Sequence, residues 1–223
     1  MTVISESTVD LKRPAWLLVL TLPAFVAFVA VVHPTMPVTY SAELTRAQLD
    51  DLGLMWPLMA LLWAVPTILA AVGLAIMAVR LQSSRARVVG ILATVAIVLM
   101  SAYVVIEVVA QRSNAATFGT SGFYEPVTMA SLLASWFGVI PATLITAIAL
   151  AKAGVARKTA LTVVGLVTLY WVTEILLYLP VLLGSSTLAG MEGGVPPFLM
   201  GVFWAILGGG VLRSGPPRRN APS

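Results

Sequence analysis

The stretch "AVGLAIMAVRLQSSRARVVGILATVAIV", residues 71–98, decides how the chain folds. Two apolar runs meet at a short polar segment that carries Arg80, Arg85 and Arg87. Followed outward, the first run begins at residue 54 and the second continues to residue 110. Each is long enough to cross a membrane, since a helix needs about 20 apolar residues to span a ~30 Å hydrocarbon core. A connection as short as "RLQSSRAR" forces the two helices to be antiparallel neighbours. Arginines gathered between two spans mark a cytoplasmic turn. The stretch therefore reads as a membrane hairpin whose turn faces the cytoplasm.

The pattern repeats along the chain. Six segments qualify as spans: 14–33, 54–79, 88–110, 129–151, 159–180 and 196–212. The last opens with Pro196-Pro197, which the first turn of a helix tolerates. The first follows Lys12-Arg13 but is too long for a signal peptide and is read as a retained span. Hydrophobic residues make up 59% of the 223 positions and charged residues 10%, far from the roughly 25% charged that soluble domains carry. Eleven of the 13 Lys and Arg residues fall on one side of the spans, leaving Arg46 and Arg112 on the other. That asymmetry places both termini in the cytoplasm. The expected fold is an all-α polytopic membrane protein: one domain, a bundle of six transmembrane helices, and a disordered tail over 214–223. Residues 41–53 read as a short outer helix with Ser41 as N-cap and Gly53 at its end. The Ala-, Val-, Gly- and Arg-rich composition points to a bacterial plasma membrane, with the lipid bilayer as the first partner.

Several chemistries drop out. The chain has no cysteine and a single histidine, His33, so disulfides, thiol catalysis, bis-His haem and clustered metal sites are not expected. All three lysines lie at or beyond span ends, so no retinal-type Schiff base is expected, and there is no phosphate-binding glycine loop. "GTSG" at 119–122 resembles the serine motif of intramembrane rhomboid proteases over four residues only. It lies in a polar loop, and no histidine follows on a later span to activate Ser121. The basic residues belong to the topological pattern, not to a nucleic-acid surface. No cofactor, metal or catalytic residue is expected.

Small residues recur at every fourth position of the fourth span, including Ala134, Gly138 and Ala142, and of the sixth, at Gly201, Ala205 and Gly209. Such rows let helix backbones approach closely in lipid. They imply packing within the chain or docking with a membrane partner or a second copy. Pro23, Pro66 and Pro141 lie inside spans, where each removes a backbone hydrogen bond.

Acidic residues carry the functional question. In "YWVTEILLY", residues 170–178, Glu174 is flanked by Tyr170 and Tyr178, and residues four apart share one helix face. Glu174 lies about 24 Å along the helix from Lys158, inside the membrane, where a charge at the centre costs about 2.5–3.5 kcal/mol on insertion scales. Tyr103 and Glu107 form a similar stripe near an outer boundary. The expected role is small-solute or proton-coupled transport through an outward-facing polar cavity around Glu174, with Glu107 second and the three tyrosines assisting. The alternatives are a non-catalytic subunit or scaffold docking through the small-residue rows, and an intramembrane enzyme acting on a lipid-like substrate. The first two readings make the protein no enzyme.

Overall fold

A computed structural model describes residues 10–35, 53–113, 130–182 and 198–214. Regular structure within them is entirely helical: α1 Lys12–Thr35, α2 Met55–Arg80, α3 Ala86–Ser113, α4 Ala130–Lys152, α5 Arg157–Leu182 and α6 Phe198–Arg213. Each expected span falls on one of these helices. The expected short helix over 41–53 and the tail lie outside the described residues, apart from Gly53 and Ser214. Helices α1 to α5 are long and apolar enough to cross a membrane. Helix α6 has 16 residues, about 24 Å at 1.5 Å per residue. The fold is an all-α membrane bundle.

The helices close into a ring. α1 packs on α2 and α6, α3 on α2 and α4, and α5 on α4 and α6. A cross-contact between α2 and α4 fills the middle. These two are the most enclosed, with 50% of their span residues buried, against 28%, 22% and 28% for α1, α3 and α5. The remaining apolar surface faces outward, as Val26, Ile91, Leu161 and Leu169 do, which only a lipid solvent makes stable.

Two tight turns join the helices at the basic end, and both use the same hydrogen bonds. After α2, the N–H of Gln82 donates to Val79 and that of Ser83 to Ala78. After α4, Gly154 donates to Ala151 and Val155 to Leu150. This is the Schellman arrangement, whose pivot residue takes a left-handed backbone. Glycine meets that need at position 154 (φ 73°), whereas Gln82 is a side-chain-bearing residue held at φ 49°. At the same end, the Asp10 carboxylate lies 3.5 Å from Arg80 and 3.8 Å from Arg13. It also accepts the Lys12 backbone N–H at 3.0 Å, so one acid holds the start of α1 against the end of α2.

Glycines set the closest helix approaches. A methyl group at Gly138 would stand 2.7 Å from the Ala96 Cβ of α3, and one at Gly208 would stand 2.5 Å from the Ala15 carbonyl oxygen of α1. Gly201 sits against the Phe25 ring, and Gly210 against Thr159 of α5. In the fourth-span row, Ala134, Gly138 and Ala142 are all buried. On α6, Gly201 and Gly208 meet α1, while Ala205 is half-buried and nothing lies within 4 Å of where a Gly209 side chain would start. The helical period explains that pairing. A seven-residue step drifts only about 20° around an ideal helix, whereas two four-residue steps carry Gly209 off the face that Gly201 occupies.

The prolines are absorbed in two ways. α1 and α2 continue as helix through Pro23 and Pro66. In α4 the turn before Pro141 widens into a π-turn over Ser135–Val139, with the Ile140 N–H reaching Ser135. The wider turn accommodates the missing proline donor where it stands.

Candidate functional site

The π-turn of α4 packs on α3 and α2 and carries Trp136, which reaches Glu174 of α5; Glu174 is buried, 4% exposed. Beside its carboxyl group stand two side-chain donors, the Trp136 indole carried by the π-turn and the Tyr170 phenol of its own helix. Tyr170 is itself buried and meets the Phe203 ring of α6 edge-on, with centroids 6.2 Å apart. Three helices thus enclose one acid with aromatic rings.

A third donor lies on the same helix. Trp171 precedes Glu174 by three residues, about one turn of α5. Its indole nitrogen is buried and has no hydrogen-bond acceptor among the described residues. Buried polar groups are almost always paired, so an unmet donor one turn from a buried acid is an uncommon arrangement.

Tyr103 lies elsewhere. It packs with Ala64, Met100 and Ala134 in a smaller cluster formed by α2, α3 and α4, whereas Trp136 and Tyr170 belong to the main core. Glu107 is on α3 and Tyr178 on α5, and the side chains of both lie outside the described residues. Of the five expected site residues, the described side chains bring Tyr170 and Glu174 together. Trp136 joins them without having been expected. Its signal was available in the hairpin register: Trp136 and Glu174 stand nearly the same number of residues from the Ala153–Ala156 turn, on opposite arms.

A second polar relay ties the neighbouring helices. The Trp204 indole N–H of α6 donates to the Thr143 hydroxyl at 2.9 Å, and that hydroxyl donates to the Val139 carbonyl at 2.7 Å. Trp63 of α2 donates to the Ser131 hydroxyl of α4 at 3.0 Å. α4 therefore exchanges hydrogen bonds with α2 and α6 and sets the Trp136 indole beside the acid of α5. Among the described residues no group of three or more His, Asp or Glu side chains could hold a metal ion. No protein family matches the chain, and neither does any curated protein or any solved structure.

Proposed function

We propose that the protein binds a proton or a small polar solute at Glu174 and takes part in its passage across a bacterial plasma membrane, with both termini in the cytoplasm. The observation that carries this reading is a carboxyl group buried within a span next to Trp136 and Tyr170, on a helix whose Trp171 donor, one turn away, is unmet among the described residues. An ionisable residue at membrane depth is expensive to insert and marks a solute or proton path more often than an inert contact. The π-turn that delivers Trp136 supports the same reading, because such turns favour functional sites. In this role Glu174 receives the proton or solute, Tyr170 and Trp136 hold its carboxyl in place, and Trp171 donates to the incoming group. Glu107 is the second candidate acid of this reading.

A scaffold is the second reading, and the near-complete enclosure of Glu174 favours it. There the acid is polar glue between α4 and α5, and the small-residue rows serve assembly. Glu174→Gln separates the two roles, because an amide is close in shape and keeps an acceptor for the neighbouring donors but carries no titratable proton. We expect normal membrane abundance with loss of the uptake or growth phenotype, and a milder effect for Glu107→Gln. Full function of the Gln variant at wild-type abundance would overturn the transport reading.

A further inference from the structure

An open groove of about 590 Å³ runs along α6, lined by none of the residues around Glu174. α6 supplies most of its lining through Val202, Ala205, Ile206 and Gly209, and Leu22 of α1 and Thr159 of α5 form the flanks. The lining is apolar until the basic end, where Arg213 closes it. From Val202 to Arg213 the groove follows α6 for about 16 Å, close to half the ~30 Å thickness of a hydrocarbon core. One end is therefore at headgroup level and the other near the bilayer centre.

Charge at the headgroup end has one sign. Arg157 and Lys158, both exposed, open α5 beside Thr159, next to Arg213. Acidic residues among the described ones are Asp10, Glu107 and Glu174. Asp10 pairs with Arg13 and Arg80, and Glu174 is enclosed in the core. The cations at this mouth thus have no carboxylate of the described chain to neutralise them. The backbone N–H groups of Arg157, Lys158 and Thr159 also precede the first hydrogen bond of α5, which runs from Ala160 to Ala156.

We propose that this groove binds an anionic phospholipid from the leaflet at the basic end of the bundle. Its phosphate pairs with Arg213, with Arg157 and Lys158 nearby, and one acyl chain lies over Gly209, Ala205 and Val202. Gly209 has the role here that Gly208 has against α1. The absent side chain leaves room, and a lipid tail fills it instead of a helix.

The test is native mass spectrometry and thermal unfolding of the purified full chain with dioleoyl phosphatidylglycerol or with dioleoyl phosphatidylcholine, which carries the same tails. Phosphatidylglycerol should stay bound and raise the Tm more than phosphatidylcholine. Arg213→Gln should weaken the phosphatidylglycerol preference about fivefold, the effect of one cation at an anionic headgroup. Gly209→Leu should reduce retention of both lipids without lowering the Tm in lipid-free detergent, because its side chain enters open space and leucine is the better helix former. Equal effects of the two lipids, or an Arg213→Gln variant that keeps the preference, would overturn the proposal. So would equal protection by inorganic phosphate, which would make the mouth a soluble-anion site. A lipid-free dimer dispersed by Gly209→Leu would assign the groove to a second copy and equally overturn it.

Discussion

At the scale of single residues, polar groups inside this bundle act in pairs that cross between helices, and their worth differs by what each leaves behind. Thr143→Val removes the acceptor of the buried Trp204 N–H. An unmet buried donor costs about 1–3 kcal/mol in proteins generally, and interhelical hydrogen bonds within membranes average about 0.6 kcal/mol. We expect a loss of about 1 kcal/mol, read by reversible unfolding in mixed micelles. A double-mutant cycle with Trp204→Phe should recover most of it, because that change removes the stranded donor as well. Trp136→Phe is the sharper probe of the acid, since it removes the indole N–H beside Glu174 while keeping an aromatic ring in the core. We expect a folded protein whose transport phenotype is weakened less than by Glu174→Gln. An unchanged phenotype would mean that Trp136 holds the helices and not the carboxyl. The Tyr170–Glu174 pairing could be read from the sequence because four-residue spacing fixes one helix face. Trp136 could not be found that way, since its place depends on the register of two helices and on the extra residue of a π-turn.

At the scale of the helix, the question is where a backbone has no room and where it has too much strain. Gly138→Leu forces α3 and α4 apart at Ala96, and overpacking of this kind costs about 1–3 kcal/mol. Gly165→Ala on α5 meets nothing within 4 Å and should be neutral or stabilising, as alanine is the better helix former by about 1 kcal/mol. Thermal unfolding of the two variants in detergent should therefore move in opposite directions or leave Gly165→Ala unmoved. Gln82→Gly should stabilise the α2–α3 hairpin by about 1 kcal/mol, because a side chain in the left-handed region carries a cost that glycine avoids. A fall in Tm would show that the Gln82 side chain contributes more than its backbone loses. Span positions were legible to within a few residues from hydropathy alone, because lipid leaves a helix few alternatives. The true contact row on α6 was not legible from four-residue spacing, since period and neighbour together select Gly201 and Gly208.

At the scale of the molecule, topology is testable without any knowledge of activity. Described basic residues other than Arg112 gather at one end of the bundle, and the Arg80–Asp10 contact ties α1 to α2 there. A reporter fused after Ser223 should be active only in its cytoplasmic form, and activity on the other side would reverse the assignment. Ring closure also sets an order of events in time. Leu18, Thr21 and Phe25 of α1 find their cover on Gly201 and Gly208 of α6, a helix made after the other five described ones. For most of synthesis, then, α1 waits in the membrane with a face that has no mate, and the bundle is a horseshoe before it is a ring. A nascent chain halted before Phe198 holds every earlier helix yet should be cleared quickly by membrane proteases. Its half-life in a pulse-chase would measure how much the final 16-residue helix contributes as the clasp.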